Sequence, residues 1–325
     1  MGKIKRVAVL TSGGDAPGMN AAVRAVTRAA INNNMEVYGI MRGYEGMING
    51  EFKKLESRDV SGIIQKGGTI LKTARSARFR TPEGRKEAYE NLSRHEIDAV
   101  VVIGGDGSFT GASIMSQEFN IPCVGIPGTI DNDLFGTDYT IGYDTALNTV
   151  VEAVDKIRDT ASSHNRIFFV EVMGREAGFV ALESGIATGA EVIMIPEVKD
   201  QLKELREFLS KRAKSNKSSI IMVAEGDDEG GAIELSQKVQ PEFPQFDIRV
   251  TILGHIQRGG SPTCYDRVSA SRMGVAAIEA LLDDQKSIMI GLVNGQISHV
   301  PLNKTVKAHK HVRKNYLDVA HILAM

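Results

Sequence analysis

DAVVVIGGDGSFTGASIMSQEFNIPCVGIPGTIDND, residues 98–133, is the stretch around which the rest of the chain falls into order. It holds two short apolar runs rich in β-branched residues, 99–103 and 123–126, each ending in a glycine loop. Between the loops, residues 109–119 have helix length and mixed polarity. Strand, loop, helix, strand, loop is the unit that builds a parallel sheet. Ligands of such sheets sit at the carboxyl ends of the strands. Those ends are Gly104-Gly105-Asp106-Gly107-Ser108 and Pro127-Gly128-Thr129-Ile130-Asp131-Asn132-Asp133.

Glycines let backbone N–H groups turn toward a phosphate, and a following helix N-terminus favours negative charge. A bare carboxylate such as Asp106 would repel that phosphate unless a divalent cation lay between them. Mg²⁺ commonly joins one or two carboxylates to substrate phosphates. Asp131 and Asp133 in the second loop suit the other tasks of phosphate transfer, accepting a hydroxyl proton and holding metal-bound water. Singly, each loop is ordinary turn chemistry, because Gly, Asp and Asn dominate turns. Two of them ending adjacent strands of one unit point to a site.

With 325 residues, 42% hydrophobic and 24% charged, the composition is that of a soluble globular protein able to bury a core. A formal charge of −1 argues against a general polyanion binder, so no nucleic-acid partner is expected. No apolar run approaches a membrane span, and residues 1–10 lack a signal peptide's apolar core. Two cysteines, Cys123 in an expected strand and Cys264 in an expected loop, fit a reduced compartment. The expectation is a cytoplasmic protein.

Residues 6–10 (RVAVL) are a buried-strand candidate, followed by Thr11-Ser12-Gly13-Gly14-Asp15-Ala16-Pro17-Gly18 and a helix over 19–32. Ala22, Val23, Val26, Ala30 and Ile31 supply its apolar side, and Arg24 and Arg28 share another face. A strand at 36–40 precedes an expected turn at Gly43-Tyr44-Glu45-Gly46. Arg75, Arg78 and Arg80 cluster in a polar stretch, where arginine's planar fork suits phosphate. Thr81-Pro82 opens a helix running through Leu92, and a further helix is expected at 145–159.

A second α/β series follows, with strands at 167–173, 192–195, 219–224 and 249–253 and helices at 201–215 and 269–282. Asn294-Gly295 within 288–300 signals a hairpin. Strand-end arginines (Arg166, Arg175, Arg249, Arg258) imply an anionic acceptor. His255, beside Arg258 and two glycines, is a candidate ligand. His309 and His311 in KAHKHVRK lack acidic or thiol neighbours and are expected in a solvated terminal helix. The layout is two α/β halves.

TSGGDAPGMNA, GGDGS, PGTIDND, IGYDTALNT, DKIRDTASSH, MGREAG, VAEG and RVTILGHIQRGGSPTCYDR together resemble the bacterial ATP-dependent 6-phosphofructokinase family. The resemblance weakens only after about Asp284. It implies two Rossmann-like three-layer α/β/α domains with mostly parallel sheets, the phosphofructokinase fold. The ATP-binding domain would span 1–141 plus 257–307, and the fructose 6-phosphate domain 142–256 plus 308–325. It implies γ-phosphate transfer to the 1-hydroxyl of fructose 6-phosphate, giving fructose 1,6-bisphosphate and ADP in glycolysis.

By the same resemblance Asp131 is the general base, Thr129 and Arg175 steady the transferring phosphoryl, and Asp106 is the magnesium carboxylate with Asp133 close by. Gly14, Tyr44, Arg75, Ser76, Gly105, Asp106, Gly107 and Ser108 correspond to ATP contacts. Ile130, Met173, Gly174, Glu225, His255, Ile256, Gln257 and Arg258 correspond to substrate contacts. Arg166 and Arg249 would reach the 6-phosphate from a neighbouring subunit, so a shared-site homotetramer is implied. Pyrophosphate-using relatives carry Asp and Lys where this chain has Gly107 and Gly128, so glycine is expected to leave room for ATP.

Family effector sites take ADP or phosphoenolpyruvate, and Arg24, Arg28, Arg158, Gly189, Glu191, Lys214 and Lys217 fall on that pattern. Ser57, Gly62, Lys214, Asn216 and Ser218 depart from residues common in relatives, and Lys for Arg loses bidentate phosphate geometry. A weakened or altered effector response is expected. Pyrophosphate as donor, other kinases with GGDG loops and a non-catalytic nucleotide sensor are the alternatives. The other kinases leave TSGGDAPGMN, GTIDND and GHIQRGG without an account, and the sensor leaves Asp131 without one.

Overall fold

In the computed structural model, residues 4–162, 166–213, 218–308 and 310–323 are described. The strands are β1 (Arg6–Thr11), β2 (Glu36–Ile40), β3 (Phe52–Leu55), β4 (Ala99–Gly104), β5 (Cys123–Pro127), β6 (Arg166–Val172), β7 (Val192–Met194), β8 (Ser219–Ala224), β9 (Asp247–Ile252), β10 (Ile288–Val293) and β11 (Gln296–Pro301). The helices are α1 (Met19–Asn32), α2 (Gly43–Asn49), α3 (Pro82–Arg94), α4 (Asp106–Phe119), α5 (Tyr143–Ser162), α6 (Phe179–Thr188), α7 (Gln201–Arg212), α8 (Ala232–Val239), α9 (Cys264–Leu282), α10 (Leu302–Thr305) and α11 (Lys314–Leu323). The chain divides into one unit of Met1–Thr129, Leu134–Thr145 and Arg258–Lys310, and another of Ile130–Asp133, Ala146–Gln257 and His311–Met325.

The first unit is built on a seven-stranded sheet of order β11-β10-β5-β4-β1-β2-β3. Its five inner strands are parallel, and β3 and β11 run antiparallel at the edges. Every residue of β4 and β5 is buried, as expected of parallel strands covered on both faces. Ala8, Leu10, Val100 and Val102 pack on Tyr44, Met47, Leu92, Phe109 and Met115 of α2, α3 and α4. Helices α1 and α9 pack on each other and on β1 and β5. A Cβ at Gly274 would lie 2.6 Å from that of Ala25, so glycine permits this close helix approach.

The second unit holds a four-stranded parallel sheet of order β7-β8-β6-β9. Ile167, Phe169, Ile221 and Val223 on one face pack on Leu205 and Leu209 of α7 and on Leu235 and Val239 of α8. Helix α6 packs on β6, β7 and β8, and α11 lies on α6. No helix among the described residues is long and apolar enough to cross a membrane.

Several expected elements change. The Gly43–Asn49 stretch is helical rather than a turn. A Cβ at Gly46 would fall 1.6 Å from the Met41 carbonyl, so that glycine serves a close approach and does not break the chain. Helix α4 starts at Asp106, before the expected Phe109, and α9 starts at Cys264, where Thr263 caps Asp266 N–H at 3.2 Å. Cys264 is therefore helical, and Ile31 lies at the exposed edge of α1. His311 precedes the terminal helix, and His309 lies outside the described residues. Strand β3 and helices α6 and α8 carried no expectation. The hairpin forms at Asn294-Gly295, both with positive φ (50° and 75°).

Candidate active site

In the first unit the strand order reverses between β1 and β4, the place where parallel sheets leave a crevice at their carboxyl ends. The loop at 11–18 after β1 and the loop at 104–108 after β4 flank it, and Ser12 N–H donates to the Ile103 carbonyl at 2.9 Å. A Cβ at Gly104 would lie 2.5 Å from Ser108 Oγ and 2.6 Å from the Ser12 carbonyl, so only glycine fits there. Asp106, Gly107 and Ser108 form the first turn of α4, with Gly105 before them. The positive end of the helix dipole thus lies at this loop, whose Gly105 carbonyl accepts the N–H groups of Ser108 (3.0 Å) and Phe109 (3.1 Å). The Asp106 side chain is exposed at that end. One hard oxygen donor at a helix N-terminus fits Mg²⁺, which takes its other ligands from phosphate and water.

Around Gly107 no atom lies within 4 Å of a Cβ position, so the space is open. Gly128 differs from the expectation of open room. A Cβ there would meet Ile103 Cγ2 at 3.1 Å and Met19 Cε at 3.2 Å, so protein already occupies the place. The Thr129 carbonyl accepts from Thr140 Oγ1 at 2.6 Å.

Tyr44 is buried, stacks on Phe79 with ring centroids 3.9 Å apart, and donates to the Ser108 carbonyl at 2.5 Å. Ser76 Oγ donates to Glu45 at 2.6 Å and accepts from Phe79 N–H. Both side chains are thus tied to neighbouring protein groups, whereas Arg75 is exposed. Arg258 donates to the Asp15 carbonyl at 3.2 Å. A Cβ at Gly14 would stand 2.5 Å from its Nη1, so Gly14 makes room for this guanidinium.

In the second unit Ile130, Asp131 and Asn132 are buried, and Asn132 has a φ of 53°. Asp131 is 1% exposed and lies 3.3 Å from Arg175 Nε, whose side chain is 59% exposed. A buried carboxylate needs such a partner to remain charged. Arg175 itself has a φ of 54° in a turn closed by Ala177 N–H donating to the Gly174 carbonyl at 3.0 Å. Glu225 Oε1 accepts from Gly174 N–H (3.3 Å) and Arg175 N–H (2.8 Å).

Half-buried Met173 donates its N–H to Gln257 Oε1 at 3.2 Å, and Gln257 Nε2 donates to the Gly254 carbonyl at 3.0 Å. Gln257 is fully buried and acts as a brace, while His255 and Ile256 are exposed. Arg166 (2.7 Å) and Arg249 (2.9 Å) both grip Asp247, and the hydrogen bond from Arg166 holds that carboxyl below its usual range.

Among the effector candidates, Arg158 donates to the Thr188 and Gly189 carbonyls at 2.8 Å and lies 3.5 Å from Glu191. Glu191 also accepts from Ile220 N–H at 2.7 Å. Arg212 joins the cluster, 3.4 Å from Glu191, and donates to the Ser218 carbonyl at 2.7 Å. Sequence reasoning missed Arg212 because it sits among many charges on a surface helix. Arg24 and Arg28 lie half-buried on α1, Ser57 is exposed, and Gly62 has a φ of 65°. Lys214, Asn216 and Lys217 lie outside the described residues. Glu45 and Asp247 were missed as well; isolated acids carry no signal of what they hold.

Residues 6–281 match the family model of Phosphofructokinase. The chain belongs to the phosphofructokinase family. An ATP-dependent 6-phosphofructokinase 2 from Bacteroides thetaiotaomicron is 59% identical to it over all of both chains. An ATP-dependent 6-phosphofructokinase 1 from Thermus thermophilus is 54% identical over 99% of this chain and 100% of its own. Among solved structures, phosphofructokinase from Saccharomyces cerevisiae superimposes with a TM-score of 0.89 at 41% identity. That match covers 98% of this chain, which spans about half (48%) of the yeast one.

Proposed function

We propose that the chain transfers the γ-phosphoryl group of ATP to the 1-hydroxyl of fructose 6-phosphate, giving fructose 1,6-bisphosphate and ADP in glycolysis. The observation that carries this is Asp131, a buried carboxylate at a strand-end loop, held 3.3 Å from an exposed arginine. Relatives named ATP-dependent 6-phosphofructokinase at 54–59% identity support it. The open space at Gly107 favours ATP over pyrophosphate as donor.

Asp131 takes the hydroxyl proton as the sugar oxygen bonds to the γ-phosphorus, and the bond to the β,γ-bridging oxygen breaks to release ADP. Arg175 and Thr129 steady the transferring group, whose charge spreads over its equatorial oxygens. Gly105 and Gly107 present backbone N–H groups to the phosphates, and Ser108, whose N–H is bonded to the Gly105 carbonyl, offers its hydroxyl. Asp106 would hold Mg²⁺, with Asp133 a candidate for its bound water, and the bound ion would supply positive charge against the phosphate oxygens. The first unit is the nucleotide-binding domain and the second the sugar-phosphate domain, where Met173, Gly174, Glu225 and His255 meet the substrate.

Arg166 and Arg249 serve the 6-phosphate bound by a neighbouring subunit of a homotetramer, with Arg258 on the same anion. Arg158, Gly189 and Glu191, like Arg24 and Arg28, serve effector sites that take ADP or phosphoenolpyruvate between subunits in the cytoplasm. A coupled assay with fructose 6-phosphate and ATP tests the assignment; no ADP formation dependent on the sugar phosphate would end it. Repeating the saturation curve with ADP and phosphoenolpyruvate tests the weakened response, which full activation and inhibition would refute.

A further inference from the structure

Arg175 is an arginine in a backbone conformation that side chains avoid, with a φ of 54° at the tip of β6. Such strain costs about 1–3 kcal/mol and persists only where neighbours over-determine it. Two neighbours at the tip of β8 do so. Glu225 Oε1 accepts the N–H groups of both Gly174 and Arg175. Gly226 sits so close beneath the turn that a Cβ there would fall 1.8 Å from the Arg175 carbonyl oxygen and 2.8 Å from its carbon. The strand pairing leads straight into this contact, because Glu225 N–H donates to the Val172 carbonyl at 2.9 Å.

We infer that Gly226, with Glu225, is a positioning residue for phosphoryl transfer: its missing side chain lets the Arg175 turn seat against β8 and aims the guanidinium toward Asp131. The inference rests on the role proposed for Arg175. The physical reason is geometric. An added Cβ at Gly226 meets backbone atoms of the turn itself, so the turn must lift, and the arginine on it leaves its line to Asp131. A displacement of about 1 Å at a positioning group costs on the order of 10²-fold in rate.

The test is a kinetic cycle on the full chain with Gly226→Ala, Arg175→Ala and the double variant, alongside thermal melting. Gly226→Ala is expected to lower kcat by about 10–100-fold, with KM for ATP changed less than about threefold. Arg175→Ala is expected to lower kcat by about 10²–10³-fold. The double variant should fall no further than Arg175→Ala, because a missing guanidinium cannot be misaimed. Losses that multiply, or a wild-type kcat in Gly226→Ala, overturn the inference alone. A wild-type kcat in Arg175→Ala overturns the role of Arg175 and the seat together. Should Gly226→Ala fail to fold, Glu225→Ala removes both N–H acceptors without adding an atom. Because Glu225 is also proposed to meet the sugar phosphate, kcat is compared at saturating fructose 6-phosphate, where its loss must likewise vanish in the Arg175→Ala background; persistence there overturns the inference.

Discussion

At the scale of single residues, the same residue type does opposite work at two places in the two glycine loops. Gly107 opens onto space at an exposed position in the first turn of α4. Gly107→Ala should raise folding stability by up to about 1 kcal/mol through helix propensity. The same variant should raise KM for ATP at least about tenfold if the nucleotide needs that space. Gly128 is packed against Ile103 and Met19. Gly128→Ala should cost about 1–3 kcal/mol in urea unfolding by overpacking, with no selective effect on ATP. Asp131→Ala should cut turnover at least about 10²-fold while both substrates still bind. Single-turnover rates and binding titrations separate these effects; wild-type turnover would remove Asp131 from the role of base.

At the scale of elements, the start of α5 is pinned by a carboxylate from α9. Asp266 accepts from Gly142 N–H (2.8 Å), Thr145 N–H (2.9 Å) and Thr145 Oγ1 (2.5 Å). Burial nevertheless pushes its carboxyl up to about 6, against the pull of those bonds. Because the folded value exceeds the unfolded one near 3.9, the folded state holds a proton between about pH 4 and pH 6 that the unfolded state has released. The Asp266 contribution to stability should therefore fall as pH rises through that window, by up to about 3 kcal/mol, and level off above it. Urea unfolding of wild type and Asp266→Asn at pH 4.5 and pH 7 checks the sign. Equal pH slopes in the two proteins would contradict it.

At the scale of the whole molecule, Arg166 and Arg249 converge on Asp247 within one chain. Exposed pairs of this kind contribute about 0–1 kcal/mol to stability, so they are available to exchange Asp247 for a phosphate. If that phosphate is bound by another subunit, mixed oligomers complement. Co-refolding Asp131→Ala with Arg249→Ala should restore activity at low fructose 6-phosphate above that of either parent. Activity no greater than the average of the parents would place each site within a single chain.

The sequence alone determined which segments are strands at the sheet centres, where the two glycine loops fall, and which chemistry their carboxylates carry. These follow from runs of β-branched residues and from turn residues a few positions apart, and both signals are local. Tertiary structure decided what each residue faces. It turned Tyr44, Ser76 and Gln257 inward, filled the place beside Gly128, joined Arg212 to Glu191 and seated Arg175 on Gly226 beside Asp131. Such pairs lie far apart along the chain, and only the packing of separate strands and helices sets their distances.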